Sequence, residues 1–278
     1  MDLFDIVVLS LIQGITEFLP ISSSGHLALW PLLTGRPDQG PAMDAAVHVG
    51  TLTAVCWFFR AEVGQLFVGT GHILIGRIGT GPARLAWLMA LATIPAIVFG
   101  LALKVYDLQD ELRVIKVIGW TTLVGGILLW LADRAATRRD QAESWGVSDA
   151  VIMGLAQAVS LIPGVSRSGI TMTAARFLGF DRVQAARLAL LMAVPIIIAG
   201  GSVEVLGVIR DGNTALGMDL VLGAILSCIA ALIALTVMMR MFTATWTMLP
   251  FVLYRLVLGC VLLAIAYGAI TIPGVGGA

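Results

Sequence analysis

Two short polar stretches interrupt the apolar sequence of this 278-residue chain: QGITEFLPISSSGH at residues 13–26 and PGVSRSG at residues 163–169. Each lies in the middle of an apolar region, 3–34 or 150–178, and each contains a proline, which breaks helical hydrogen bonding. Neither half of either region is long enough to cross a bilayer. Because irregular backbone is tolerated at membrane depth only inside protein or beside a wet cavity, the two stretches predict re-entrant helical hairpins with polar tips.

The composition indicates a membrane protein around these hairpins. Hydrophobic residues make up 59% of the chain and charged residues only 12%, with a mean hydropathy of +0.97. A soluble domain has about a quarter of its residues charged, so the composition excludes one. Zero net charge and the lack of a long basic run argue against a nucleic-acid partner. The three cysteines lie in apolar blocks at no metal-ligand spacing and are expected to be small buried side chains.

The apolar sequence outside the hairpins predicts six membrane spans, at 42–59, 85–103, 114–132, 186–209, 219–239 and 248–268. Hairpins that return to their own side place both termini on one face. The opposite face then collects ten basic residues: Arg60, Arg77, Arg84, Arg134, Arg138, Arg139, Arg176, Arg182, Arg187 and Arg240. The first face has five: Arg36, Lys104, Arg113, Lys116 and Arg210. By the positive-inside rule, the termini are periplasmic or extracellular.

The two halves of the chain repeat one another. An offset of 144 residues aligns seven identities within 21 positions, namely Asp5, Val7, Leu11, Gln13, Ser22, Ser24 and Gly25 with Asp149, Val151, Leu155, Gln157, Ser166, Ser168 and Gly169. Each repeat, about 1–133 and about 149–270, has one hairpin and three spans. Since an odd number of crossings inserts the second copy upside down, the sequence predicts an inverted-topology repeat in one all-α polytopic membrane domain, 1–278, with its hairpin tips meeting near the midplane.

Opposite charges lie on the two predicted tips. Glu17 follows Gln13 by four residues, so both side chains share one helical face. A carboxylate at this depth is expected to face a cavity or a partner. The second tip carries Arg167, whose guanidinium, with neighbouring hydroxyls and a following helix N-terminus, forms an anion cradle that suits phosphate. The neighbouring cradle residues are Ser166, Ser168 and Gly169.

A nucleophile and a base are also available in the first tip. Ser23 and His26 are three residues apart, and Glu17 can orient the histidine or bind a metal ion, which indicates phosphoryl transfer. The alternative is structural: Glu17 and Arg167 form a buried ion pair that joins the halves, and the serines cap helices. Elsewhere, His48 is expected to be hydrogen-bonded within the bundle, with a place in the cavity second. Arg255 lies within the last span and is expected to make a structural pairing, with lipid phosphate second.

The two tip stretches, together with Thr93–Ala96 and Tyr254–Arg255, resemble the bacterial undecaprenyl-diphosphate phosphatase family of the bacitracin-resistance type over essentially the whole chain. The resemblance implies a multi-pass protein of the bacterial cytoplasmic (inner) membrane, with its active site open to the periplasmic or extracellular side. It implies removal of the terminal phosphate of undecaprenyl diphosphate, which recycles the lipid carrier for peptidoglycan synthesis and confers bacitracin resistance. It also implies a divalent cation, Mg²⁺ or Ca²⁺. A homodimer stays open.

The resemblance also assigns site residues. The motif glutamate falls on Glu17, the nucleophile candidates on Ser23 and His26, and the phosphate-binding arginine on Arg167. Further phosphate contacts are expected from Ser22, Ser24, Ser166, Ser168 and Gly169. Glu17 and Gln13 are the expected metal ligands. The family pattern usually has glutamate where this chain has Gln13, so metal binding is expected to be weaker or differently tuned.

The sequence supports a mechanism in which Ser23, activated by His26, attacks the terminal phosphorus while Arg167 and the cation neutralise the diphosphate. A rival assignment makes His26 the nucleophile and Ser23 a phosphate ligand. The alternative function is a secondary transporter or polyprenyl-phosphate flippase, since such carriers use the same inverted-repeat scaffold. Hydrolysis is favoured because carriage needs no nucleophile.

Overall fold

The computed structural model describes residues 1–138, 145–210 and 217–270. These residues form twelve α-helices and no strand, so the predicted all-α class is confirmed. The helices are α1 Leu3–Thr16, α2 Ser23–Thr34, α3 Gly40–Phe58, α4 Arg60–Leu74, α5 Gly81–Val105, α6 Gln109–Leu112, α7 Ile115–Asp133, α8 Val147–Val159, α9 Arg167–Phe177, α10 Arg182–Arg210, α11 Gly217–Thr243 and α12 Leu249–Ala266.

Five of these helices, α5, α7, α10, α11 and α12, are long and apolar enough to cross a membrane. A sixth span is available if α3 and α4 are taken together, although they are bent by 93° at their junction. The chain is therefore a multi-pass membrane protein. The six predicted spans fall in α3, α5, α7, α10, α11 and α12, and every boundary lies within four residues of a helix end.

Helix α4 occupies the first part of the connection that the sequence assigned to residues 60–84. Apolar residues continue through this segment, so helical structure resumes after the bend. Val63 is buried, and a side chain at Gly69 would meet the backbone of Pro82, which shows how closely α4 packs on α5. Phe67 and Leu74 on α4 are 71% and 82% exposed, as expected for side chains that face lipid.

Each predicted hairpin consists of two helices separated by an irregular tip. The tips lie between α1 and α2 and between α8 and α9. Ser22 and Ser166 precede the second helices with φ values of 76° and 71°, a region that residues other than glycine rarely adopt. Their hydroxyl oxygens accept hydrogen bonds from the backbone N–H groups of Gly25 at 3.4 Å and Gly169 at 3.1 Å. The two tips therefore have the same turn.

Helix packing follows a matching pattern in the two halves. Helix α1 packs against α11, and its counterpart α8 packs against α5. Likewise α3 packs against α11, and α10 against α5. This agreement is what an internal duplication would produce. The inverted insertion of the second half and the midplane position of the tips stay predictions.

The main core surrounds α10 and fixes α9, the helix that begins at Arg167. At the far end of α9, the buried Arg176 donates hydrogen bonds to the backbone carbonyls of Asp133, Ala135 and Phe180 at 3.1, 2.8 and 2.5 Å. These bonds hold α9 along its axis. Cys56 and Cys228 are half-buried and Cys260 is exposed, so the expectation that all three cysteines are buried is wrong.

Candidate active site

Glu17 lies where the two hairpin tips meet. It is the C-cap residue directly after α1, and its side chain is only 2% exposed. Its Oε2 accepts hydrogen bonds from Ser23 Oγ at 2.5 Å and from Gln13 Nε2 at 2.9 Å. Its other oxygen, Oε1, accepts from the guanidinium of Arg167. One carboxylate thus joins a hydroxyl and an amide of the first half to a cation of the second half.

Arg167 is the more accessible member of the ion pair. Its side chain is 18% exposed, against 2% for Glu17. It is the first residue of α9, so it lies next to the backbone N–H groups of the first turn, which have no acceptor within the helix. The guanidinium has more donors than Glu17 Oε1 uses. It is therefore the group in the cluster best able to contact an anion that arrives from outside.

A second arginine connects the tips to the rest of the bundle. Arg255 on α12 is fully buried, and the hydrogen bonds that its guanidinium donates within the described part of the chain go to backbone carbonyls. The acceptors are Thr122 at 3.2 Å, Pro20 at 3.2 Å, Thr121 at 3.3 Å, Gly164 at 3.1 Å and Val165 at 2.9 Å. Since Pro20 belongs to the first tip and Gly164 and Val165 to the second, one side chain fixes both tips. The predicted structural pairing of Arg255 is confirmed.

The side chain of His26 contacts α12. Its Nδ1 lies 2.6 Å from the carbonyl oxygen of Ser22, so Nδ1 carries the proton, because a carbonyl can only accept. In the neutral ring, Nε2 then accepts from the hydroxyl of Tyr254 at 2.5 Å. The two rings are stacked with centroids 5.7 Å apart. Both ring nitrogens are therefore used.

His48 on α3 approaches the cluster from the other side. Its Nδ1 donates to the carbonyl oxygen of Asp44 at 2.7 Å. Its Nε2 lies 3.9 Å from Glu17 Oε2, beyond hydrogen-bond distance. This histidine thus lies at the cluster as well as being hydrogen-bonded within its own helix.

Comparison with known proteins shows the family of this chain. The family model described as "Bacitracin resistance protein BacA" matches residues 6–261. The chain belongs to the BacA family. Its relatives include proteins named undecaprenyl-diphosphatase from Jannaschia sp. (strain CCS1), 53% identical over 267 residues, and Ruegeria sp. (strain TM1040), 50% identical over 268 residues. Each alignment covers 96% of this chain and 100% of the relative.

The BacA-family tips bring together four residues that the sequence predicted as a site: Gln13, Glu17, Ser23 and Arg167. The ion pair that the sequence offered as the structural alternative is also present. The active-site and structural interpretations therefore describe the same pair, Glu17 and Arg167. In the first, Arg167 contacts a bound anion, and in the second, it only joins the two halves.

The predicted pairing of His26 with Ser23 is wrong in this structure. Among the described residues, Ser23 Oγ contacts Glu17, and His26 contacts Ser22 and Tyr254. Although the spacing of three residues puts Ser23 and His26 on one side of α2, Ser23 is the first residue of the helix and turns back towards the end of α1. The group placed to accept the Ser23 proton is Glu17.

Several side chains that the sequence predicts as phosphate contacts form hydrogen bonds within the tips. The hydroxyls of Ser22 and Ser166 cap α2 and α9, as the structural alternative expected. Ser168 Oγ donates to the carbonyl oxygen of Leu19 at 2.9 Å and so joins the tips. A Cβ at Gly169 would lie 2.7 Å from Arg255 Nη1, so this glycine makes room for the buried guanidinium. Ser24 is exposed and is the serine most open to a ligand.

The donor set fits a hard divalent cation. Gln13 is fully buried, and its carbonyl oxygen Oε1 has no hydrogen-bond partner, although its amide nitrogen binds Glu17. An orphaned amide oxygen next to a carboxylate is the kind of ligand that Mg²⁺ and Ca²⁺ take. Among the described residues no three His, Cys, Asp or Glu side chains form a metal-binding group, so a cation held by Glu17 and Gln13 needs further ligands.

Sequence patterns give little indication of two residues in this region. The position of His48 within a predicted span is the signal for a functional role, because ionisable residues at membrane depth usually serve function. Tyr254 belongs to the family resemblance, which implies no role for it. Its contact with His26 joins residues 228 positions apart, and local spacing holds no signal for it.

Arg255 gives a stability prediction. Arg255→Leu is expected to lower the melting temperature of the detergent-solubilised protein by roughly 5–10 °C, because several buried carbonyls lose their donor. Tyr254→Phe is the matched control. Tyr254 is the neighbour of Arg255 on α12, and the substitution removes its hydrogen bond to His26. Thermal unfolding followed by intrinsic fluorescence measures both. An unchanged melting temperature in Arg255→Leu would show that the tips hold together without it.

Proposed function

We propose that this chain is an undecaprenyl-diphosphate phosphatase, which hydrolyses the terminal phosphate of undecaprenyl diphosphate to give undecaprenyl phosphate. The observation that carries the proposal is the contact of Ser23 Oγ with Glu17 Oε2 at 2.5 Å, with Arg167 on the other oxygen of the same carboxylate. Nucleophile, proton acceptor and anion-binding cation thus meet at one point. The names of the relatives support the same activity.

In the first step Ser23 transfers its proton to Glu17 and attacks the terminal phosphorus in line. The Oγ–P bond forms as the bond between that phosphorus and the bridging oxygen breaks. The electron pair leaves with undecaprenyl phosphate. Arg167 stabilises the charge on the transferring phosphoryl group. In phosphoryl transfer, such electrostatic stabilisation and the positioning of the reacting groups give most of the rate acceleration. His26 and Tyr254 take no part in this proton transfer.

In the second step water attacks the phosphoserine. The bond between water oxygen and phosphorus forms, and the Oγ–P bond breaks. Glu17 returns its proton to Ser23 Oγ, while the proton lost by water leaves with the phosphate product. The serine and the carboxylate are then as they began, ready for another substrate.

A divalent cation, Mg²⁺ or Ca²⁺, would be held by Glu17 and by the orphaned Oε1 of Gln13. When bound, it supplies positive charge that neutralises the diphosphate. The single carboxylate in this ligand pair is consistent with weaker metal binding than a pair of glutamates would give.

The proposed setting is the bacterial cytoplasmic membrane, with the site open to the periplasmic or extracellular side. The distribution of basic residues along the sequence supports an outer position of the termini, and the family resemblance supports a site that opens to that side. There the product would serve again as a lipid carrier for peptidoglycan synthesis, and turnover of undecaprenyl diphosphate would give resistance to bacitracin. A homodimer stays a prediction. A transporter or flippase is not favoured, because a carrier needs no hydroxyl in contact with a carboxylate.

The proposal is tested by phosphate release from a polyprenyl diphosphate, with detergent-solubilised protein and added Mg²⁺ or Ca²⁺. Ser23→Ala is expected to reduce release by about 10³-fold or more, since the nucleophile is lost. Ser10→Ala is the matched control and is expected to retain activity, because Ser10 is a buried serine of α1 whose hydroxyl donates to the carbonyl oxygen of Ile6 in the same helix.

The identity of the nucleophile is tested by trapping the phosphoenzyme from substrate labelled at the terminal phosphate. An acid-stable phosphoserine at Ser23 is expected. An acid-labile adduct would move the nucleophile to His26. Near-normal turnover in Ser23→Ala would overturn the proposed step altogether.

A further inference from the structure

His48 has an unused ring nitrogen that faces the carboxylate of Glu17. Because Nδ1 donates to the Asp44 carbonyl, Nε2 of the neutral imidazole carries a lone pair and no proton. It lies 3.9 Å from Glu17 Oε2, which is also an acceptor. No described residue donates to Nε2. Two acceptor atoms that face each other across a short gap repel through their lone pairs. A cation or a hydrogen-bond donor between them turns this repulsion into attraction.

The separation suits two ligands of one metal ion. Ligands about 2.2 Å from a divalent cation and about 90–120° apart lie about 3–4 Å from each other. The distance of 3.9 Å is in this range and is too long for a direct hydrogen bond. The orphaned, fully buried Oε1 of Gln13 belongs to an amide that touches the same Glu17 oxygen at 2.9 Å. A third ligand atom is therefore close by.

The other ring nitrogen of His48 is arranged as in metal-binding histidines. Such residues usually donate their second N–H to a carboxylate or a backbone carbonyl, which fixes the ring. His48 does this through Asp44. The chain has three histidines, and the other two differ. Nε2 of His26 is occupied by Tyr254, and His72, in α4, contacts Thr80 Oγ1 at 2.9 Å.

We infer that His48 Nε2 is a nitrogen ligand of the divalent cation, together with Glu17 and Gln13. The inference rests on the proposed function, since the cation is the one expected there. It gives this chain a mixed nitrogen and oxygen donor set where the usual family pattern begins with a second glutamate. Because imidazole suits transition metals and Ca²⁺ prefers oxygen, the site is expected to favour Mn²⁺ over Ca²⁺.

The test is direct Mn²⁺ binding to the full-length, metal-stripped protein in detergent. Pulsed electron paramagnetic resonance of bound Mn²⁺ is expected to show coupling to an imidazole nitrogen. His48→Gln is expected to abolish this coupling and to weaken Mn²⁺ binding by roughly tenfold or more, with a smaller change for Ca²⁺. His72→Gln and His26→Gln, which remove the other two imidazoles, are the matched controls and are expected to keep the coupling.

Three results would overturn the inference: bound Mn²⁺ without nitrogen coupling in the unsubstituted protein, coupling that survives in His48→Gln, or no Mn²⁺ binding. In each case His48 would instead contact Glu17 through a proton or water. The unsubstituted protein alone provides the first and third results, so a variant that fails to fold does not block the test. Phosphate release measured on the same preparation is independent of the spectrum, which keeps failure of this inference apart from failure of the proposed function.

Discussion

Replacing Arg167 with alanine is expected to lower kcat/KM for phosphate release from a polyprenyl diphosphate by about 10³-fold or more, the range found for arginines that stabilise a transferring phosphoryl group. The side chain is the accessible cation of the cluster, 18% exposed beside a carboxylate that is only 2% exposed. The kcat/KM of Arg167→Lys is expected to fall between those of Arg167→Ala and the unsubstituted protein. An ammonium keeps the charge but loses the planar fork that binds phosphate with two donors.

Loss of activity in Arg167→Ala could also arise if the ion pair only holds the halves together. Removing one partner of a buried pair leaves a charge unpaired, which costs about 3–5 kcal/mol. The double variant Glu17→Gln with Arg167→Gln separates these roles, because it removes both charges at similar volume. We expect its melting temperature to recover relative to Arg167→Ala while phosphate release stays lost. Recovery of activity in the double variant would show a purely structural pair.

Arg187→Ala is the matched control for Arg167→Ala. Arg187 forms an ion pair with Glu62 at 2.7 Å and has a partly exposed side chain, but it lies on α10, away from both tips. Breaking this pair is expected to leave turnover within about twofold, because neither Arg187 nor Glu62 belongs to a hairpin tip. Ser166→Ala and Ser168→Ala are expected to cost less than Arg167→Ala, since their hydroxyls bond within the tips.

The tips could be predicted from sequence because their physical constraints are local. A proline and a run of serines inside an apolar segment leave few structures that satisfy the backbone, and glutamate or arginine at such depth needs a partner. The pairing of Glu17 with Arg167 follows from that need, since the described part of the chain offers few other charges at the tips. The shared turn at Ser22 and Ser166 follows from the repeat.

The proton acceptor for Ser23 could not be predicted in the same way. Spacing places Ser23 and His26 on one side of α2, but the direction of each side chain depends on partners far along the chain. His26 is held by Tyr254 on α12, and Ser23 turns towards the end of α1. Likewise, burial cost identified Arg255 as a residue that needs acceptors, but sequence could not name the carbonyls of two separate tips as those acceptors.

Glu17→Gln is expected to reduce phosphate release by about 10³-fold, within the range for loss of a general base. The substitution keeps the size of the side chain and leaves an oxygen that can accept from Ser23, but it removes the negative charge. The amide oxygen is too weak a base to take the proton of Ser23, and Arg167 and the proposed cation each lose a charged partner. We therefore expect the labelled phosphoenzyme to be absent as well, because the defect precedes formation of the Oγ–P bond.

Glu62→Gln is the control for this substitution, because Glu62 is likewise ion-paired but lies on α4 beside Arg187. It is expected to leave turnover within about twofold. Unchanged phosphate release in Glu17→Gln would remove the proton acceptor from the mechanism and with it the reason for placing Ser23 as nucleophile. An accumulated phosphoenzyme with slow release of phosphate would contradict the proposed role of Glu17 in the first step. Glu17 would then act in hydrolysis of the phosphoserine, and Ser23 would lose its proton to the substrate or to solvent.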